Sequence, residues 1–157
     1  MSTAPTTSAD SWVVTQDDKT MAVLAHVLQL VGGFIAPLFI FLLKRQSRFI
    51  SFHALQVLLL QGIHILVSGM LVTIWISMFF FGMWAHSQGS GTKPPTEFLV
   101  LFPLAMLISM AVWLAILILA VMYGIKAGRG EWAEYPILGK WARTILHIGP
   151  DGTLLNE

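Results

Sequence analysis

Two histidines and several amides are the side chains that could do chemistry within the long apolar segments of this chain. His26 and His64 lie in two different apolar segments. Neutral imidazoles on facing helices are the ligands that a haem needs when it is held between two histidines. The same side chains can instead hydrogen-bond to amides or backbone carbonyls, for about 0.6 kcal/mol each in lipid. The sequence offers no second matched histidine pair, so we favour hydrogen bonding and keep haem as the alternative.

The second apolar segment carries polar side chains on one helical face and small side chains on the other. The polar face holds His53, Gln56, Gln61, His64 and Ser68. The small face, where another helix backbone could approach closely, holds Gly62, Gly69, Thr73 and Ser77. Gly124 and Gly128 form a similar seam at the end of the third apolar segment. These positions predict contacts with other helices or with partner subunits, and they make the second segment the central helix.

The sequence lacks the residues that several classes of chemistry need. The apolar segments contain no Asp, Glu, Lys or Arg, which argues against a pump, an ion-coupled transporter or an intramembrane protease. The chain has 0 cysteines, so disulfides and thiolate metal sites are excluded. Phosphate-loop, metalloprotease and nucleophile-elbow motifs are also missing. We therefore predict a protein that is not an enzyme and has no cofactor, and the net charge of +1 predicts no nucleic-acid partner.

The composition indicates the kind of structure, membrane-spanning helices, that must position these residues. Of 157 residues, 56% are apolar and 11% charged, whereas a soluble domain has about 25% charged residues. Three uncharged stretches are long enough to cross a bilayer, which takes about 20 residues. The sequence predicts an all-α integral membrane protein whose transmembrane domain, 18–136, has three spans at about 21–43, 52–81 and 98–125.

Basic residues predict the orientation. Lys44, Arg45 and Arg48 lie in the first connection without an acidic residue, and four more basic residues follow the third span. The positive-inside rule places both segments in the cytoplasm. The polar tail 1–17 is predicted to be disordered and outside, so the chain would run N-out and C-in through a bacterial inner membrane. The cationic turn would contact lipid headgroups.

The segment 137–148 has the pattern of an amphipathic helix. Its apolar side holds Ile137, Trp141 and Ile145, and its polar side holds Lys140 and Arg143. Such a helix lies in the headgroup plane, with Lys140, Trp141 and Arg143 at the lipid interface. Packing on a partner subunit is the alternative. Residues 149–157 are predicted to be a loose tail.

Four stretches resemble a family of uncharacterised small bacterial membrane proteins. It is related to the 20-kDa membrane subunit of the chloroplast inner-envelope (Tic) protein-import translocon. The stretches are Asp18 to His26, Pro37 with Leu42-Leu43-Lys44-Arg45, Arg48 to Gln56, and Ile125 to Trp132 with Tyr135-Pro136. The resemblance implies a membrane domain of three or four helices, a link to protein translocation or assembly, and no catalytic residues.

Three functions follow as hypotheses. The first is a non-enzymatic accessory, scaffold or assembly subunit of a larger membrane complex, in contact with lipids and other membrane proteins. The second is a translocon-like pore lined by Gln56, Gln61, His64 and Ser68. The third is a haem-binding subunit that uses His26 and His64.

Overall fold

The computed structural model describes residues 13–89 and 96–155, without the side chains of 96–99. This part of the chain is all-α and contains no strand, which confirms the predicted class. The first twelve residues of the predicted disordered tail lie outside the described residues. The helices are α1 Gln16–Gly32, α2 Ile35–Leu43, α3 Arg48–Ser87, α4 Thr96–Gly128 and α5 Leu138–Leu146.

The predicted first span is not one helix but two that form a hairpin. Gly33 separates α1 from α2 with φ 53° and ψ −129°, a conformation that favours glycine. The chain then turns back, because Lys44 after α2 contacts Asp17 at the start of α1, with Nζ and Oδ2 2.9 Å apart. The Ser47 hydroxyl donates to Asp18 Oδ1 at 2.5 Å. Both ends of the hairpin therefore lie at the same end of the molecule.

The prediction of three spans is wrong for this reason. Within the described residues, two helices are long and apolar enough to cross a membrane, Arg48–Ser87 and Val100–Gly128. The predicted N-out and C-in arrangement requires an odd number of crossings. The start of α1 lies beside the α2–α3 turn, and its Val23 packs against Gly128 at the end of α4. The start of α1 and the end of α4 therefore lie at the same end of the molecule.

The molecule has a packed end and an open end. We call the packed end the base; it consists of α1, α2, residues 48–61 of α3, residues 120–128 of α4 and residues 129–155. Ten of the buried residues of α3 lie between Phe49 and Gln61. We call the remainder of α3 and α4 the arms. Their apolar side chains are largely exposed, as at Leu66, Phe81 and Met110.

The segment after α4 returns along α3. Residues 131–137 are not helical, and they pass close to His53 and then to Gln56. Tyr135 and Leu138 form an apolar cluster with Tyr123, against which side chains of both α3 and α4 pack. α5 then leads back toward the start of α3, where the Arg143 guanidinium lies 4.7 Å from the centre of the Phe52 ring.

The predicted loose tail is ordered over its described part. Ile148 and Leu154 form an antiparallel bridge, and Gly149 N–H donates to the Thr153 carbonyl at 2.7 Å. Gly152 adopts φ 86° and lies against Trp132, where a Cβ would approach the indole to 2.3 Å. Residues 148–155 are therefore a compact turn that closes the base.

Candidate functional site

The base encloses a cluster of six polar side chains, which we call the buried polar cluster. Each member is at most 5% exposed, and the cluster joins α1, α3 and the segment after α4. Its members are His26, Gln29, His53, Gln56, Gln61 and Tyr135. Buried polar groups are costly unless they are hydrogen-bonded, so the network decides how this end of the protein is built.

The two histidines and the tyrosine form a hydrogen-bonded chain with one direction. His53 Nε2 lies 3.1 Å from the Glu131 carbonyl, which can only accept, so Nε2 carries the proton. In the neutral ring, His53 Nδ1 then accepts from His26 Nε2 at 3.2 Å. His26 Nδ1 accepts in turn from the Tyr135 hydroxyl at 2.9 Å. Burial raises the pKa of that hydroxyl, which keeps its proton in place for donation.

Gln56 clamps the segment that follows α4. Its Nε2 donates to the Ala133 carbonyl at 3.2 Å, and its Oε1 accepts from Tyr135 N–H at 2.6 Å. The side-chain amide thus pairs with a non-helical backbone as a neighbouring strand would. Together with His53, it satisfies three backbone groups of residues 131–135.

A second row of amides continues the cluster toward the arms. Gln29 Nε2 donates to the His26 carbonyl at 2.9 Å, and Gln61 Nε2 donates to the Gln29 carbonyl at 3.2 Å. The half-buried His64 lies one turn further on, with Nδ1 3.4 Å from Gln61 Oε1. Buried Gln56 and Gln61 therefore serve contacts within the chain and do not line an open path.

His26 and His64 are not brought together. His26 pairs with His53, and both of its ring nitrogens are engaged, one by Tyr135 and one by His53. A haem iron between His26 and His64 would have to break this chain. Among the described residues, no three His, Asp or Glu side chains are grouped so that they could hold a metal ion.

Arg143 turns into the base, although the sequence predicted it at the lipid interface. Its side chain is 12% exposed, and Nε lies 2.5 Å from Glu134 Oε1. It also donates to the carbonyls of Trp132, Gly149 and Pro150. A guanidinium has five donors in a fixed fork, so one side chain can hold several turns together.

Of the other residues predicted at the lipid interface, three contact groups of this chain and two are exposed. Lys44 pairs with Asp17, Arg48 donates to the Gly152 carbonyl at 3.4 Å, and Arg45 lies over the Phe41 ring at 5.8 Å. Lys140 and Trp141 are exposed on α5.

The predicted small-residue positions divide into two sets. Gly124 and Gly128 lie where α1 packs on α4, and a Cβ on them would be 3.5 Å from His26 Cβ and 3.3 Å from Val23 Cγ2. Gly62 and Gly69 have no atom within 4 Å of a Cβ position. Thr73 and Ser77 are exposed on the same helix. Among the described residues, no helix therefore packs against the small face of α3 at Gly62 and Gly69.

A wide cleft separates the arms. It measures about 1230 Å³ and is apolar, with Trp75 and Phe79 on α3 and Met106 and Trp113 on α4. Ser68, from the predicted polar face, lies at its wall. The arms touch at Trp75 and Phe102, whose ring centroids are 4.0 Å apart.

Several important residues were not among the predicted site residues. Tyr135 was interpreted only as part of a turn before Pro136, and Gln29 only as a hydrogen-bonding partner on the first segment. A signal for Tyr135 was present, since the residue before a proline is extended and leaves its backbone needing partners. The adjacent Gly32 and Gly33, followed by Pro37, were a signal for the break in the first span.

Comparison with known proteins shows the family of this chain. Residues 17–142 match the family model MamF/MmsF, described as the magnetosome magnetite crystal formation protein family. The chain belongs to this family. Neither the curated proteins nor the solved structures compared with the chain include a match. The predicted relation to the Tic translocon subunit is therefore wrong, because the matched model is the MamF/MmsF family.

Proposed function

We propose that this protein is a non-enzymatic membrane protein that takes part in the formation of magnetite crystals, as a structural subunit of a membrane assembly. The observation that carries the proposal is the family match, which runs from α1 into α5 and includes both arms and the base as far as residue 142. The family description supplies the biological process, and the geometry supports a structural role within it.

The contacts of the buried polar cluster support a role without catalysis. The two histidines, the tyrosine and the amides bond to one another or to backbone groups of the base. A general base or nucleophile needs a ring nitrogen or hydroxyl that is within reach of a substrate. These groups are buried and engaged, so their role is to hold the segment after α4 against α3.

The arms support a place in a membrane. Their apolar side chains are largely exposed, and the two helices to which they belong are long and apolar enough to cross a membrane. Described cations such as Lys44, Arg45, Lys126 and Arg129 all lie at the base, which favours a cytoplasmic base under the positive-inside rule. The exposed small face of α3, with Gly62 and Gly69, is the part of the arms best suited to close contact with another membrane helix.

Deletion of the gene in a host that forms magnetite tests this proposal. We expect crystals of altered size or number by electron microscopy, and restoration by the wild-type gene. A G62L/G69L variant should restore less than wild type, because bulky side chains block close approach of a partner helix. Val67→Leu, on another face of α3, is the matched control and should restore fully. Crystals unchanged by the deletion would overturn the proposal.

A further inference from the structure

The outer surface of the base is apolar on two separate elements. On α2, Ile35, Phe39, Leu42 and Leu43 are between 52% and 77% exposed. On and beside α5, Ile137, Trp141 and Ile145 follow one another at intervals of four residues and are each more than half exposed. In water, such a surface around a small packed base would be costly.

The polar side of α5 lies next to its apolar stripe. Leu138, Gly139 and Ala142 form the buried face of the helix. Of the two flanks left exposed, one is apolar, and the other carries Lys140, Thr144 and His147. A helix with an apolar and a cationic flank lies where acyl chains meet headgroups, since each flank then finds its own medium.

Inside the base, the backbone of the non-helical segment after α4 is hydrogen-bonded as a segment at membrane depth needs to be. Irregular backbone at membrane depth is tolerated where protein buries it and satisfies its polar groups. Side chains of His53 and Gln56 hold the carbonyls of Glu131 and Ala133, and Arg143 reaches the Trp132 carbonyl at 3.4 Å. Three successive carbonyls of the segment are thus each given a side-chain donor.

The length of the hairpin fits partial insertion. α1 has 17 residues and is about 25 Å long, and α2 has 9 and is about 14 Å long. The tip, around Gly33, carries exposed Val31 and Ile35, which are 89% and 64% exposed. A hydrophobic tip whose two ends return to one side suits entry into a membrane without crossing it.

From these observations we infer that the base is embedded in a single leaflet, with the outer faces of α2 and α5 in contact with its acyl chains. Lys140 and Arg45 then lie at the headgroups, where their charge favours anionic lipid. The surface continues onto the arms through exposed Met122 and Ile125 of α4. The inference rests on the proposed membrane role and adds the class of partner, a lipid leaflet.

Spin labelling in vesicles that contain anionic lipid tests the inference directly. The chain has 0 cysteines, so single-cysteine variants can be labelled without background. The test positions are F39C, W141C and I145C, and the matched polar-flank positions are K140C and T144C. Ile76→Cys on the exposed arm is the reference for lipid, and Asp151→Cys on the terminal turn is the reference for water. Unfolding midpoints identify variants that fail to fold.

We expect labels at Phe39, Trp141 and Ile145 to collide with oxygen as the Ile76 label does, and to be shielded from a water-soluble nickel complex. Labels at Lys140 and Thr144 should collide with oxygen and with the nickel complex to a degree closer to that of the Asp151 label. Nickel access at Trp141 and Ile145 equal to that at Asp151 would overturn the inference. Shielding from both reagents, with an immobilised label, would also overturn it, because a protein partner would then cover the stripe.

This test is independent of magnetite. A gene deletion without effect on crystals would overturn the proposed function and leave the labelling result standing. A water-accessible label at Ile76 would instead overturn the membrane role on which both proposals depend.

Discussion

Lys44 Nζ lies 2.9 Å from Asp17 Oδ2, although 27 positions separate the two residues. The pair joins the end of α2 to the start of α1, so the apolar stretch between them leaves the base and returns to it. Both side chains are well exposed, at 39% and 61%, and such an ion pair contributes little stability. The pair shows instead that the chain reverses direction between α1 and α2, and the arrangement of the whole base depends on this reversal.

Acid should loosen the hairpin through Asp18. Burial raises the pKa of this carboxyl, but hydrogen bonds from Ser47 and Thr15 outweigh burial, and the pKa lies below its ordinary value of 3.8. A depressed pKa contributes stability above the ordinary value, and that stability is lost as the pH falls through the lower, folded value. Thermal unfolding in detergent should therefore show a midpoint that falls below about pH 4.

The matched variant for that experiment is Asp18→Asn. It should lower the midpoint at neutral pH and flatten its dependence on acid. If the unfolding midpoint of the Asp18→Asn variant fell with pH as steeply as that of the wild type, another group would be responsible for the acid effect.

Loss of the Gln56 clamp should destabilise the base. Gln56→Leu removes the partners of the Ala133 carbonyl and the Tyr135 N–H, and we expect a cost of about 1–3 kcal/mol for each buried group left unpaired. The free energy of unfolding in mixed micelles measures this. Gln88→Leu, at an exposed position after α3, is the control and should be nearly neutral. Equal effects in the two variants would contradict the clamp.

The two buried histidines should be neutral and carry their protons on the same ring atom. Because the Glu131 carbonyl can only accept, both His53 and His26 are expected as the Nε2–H tautomer. Nitrogen NMR shifts of the labelled rings report the tautomer. A proton on Nδ1 of either ring would contradict the directed chain from Tyr135 to Glu131.

Alanine at Gly62 and Gly69 separates stability from association. Neither Cβ would come within 4 Å of an atom in the described part of the chain, so each substitution should stabilise α3 by about 1 kcal/mol through helix propensity. If a partner helix packs on the small face, the same variants should reduce the amount of complex seen in native gels. Their free energy of unfolding should nevertheless rise. Gly139→Ala is the contrasting control and should destabilise, since its Cβ would lie 2.4 Å from Glu134 Cβ.

The sequence predicted the parts of the molecule that follow from local pattern. Apolar length gave α3 and α4, and the shared face of His53, Gln56 and Gln61 was a real feature of α3, since all three are buried. The helical period also placed Trp141 and Ile145 on one side of α5. These features depend on residues within a few turns of one another.

The rest depended on contacts between distant residues. The unbroken apolarity from Met21 to Leu43 concealed the reversal at Gly33, because hydropathy does not distinguish a span from a hairpin. Arg143 resembled a surface cation, yet its partners Glu134 and the Gly149 carbonyl are defined only once residues 129–155 fold back. His26 contacts His53 and not His64 because the register of α1 on α3 places Gln29, which follows His26 by three residues, at the level of Gln61.

The position of the start of α1 relative to the membrane tests this account most directly. Single cysteines at Gln16, Gln88 and Thr153, all exposed, can be labelled in sealed membrane vesicles with an impermeant maleimide. Two crossings predict that Gln16→Cys and Thr153→Cys react from the same side and Gln88→Cys from the other. Reaction of Gln16→Cys together with Gln88→Cys would restore a third crossing and contradict the hairpin.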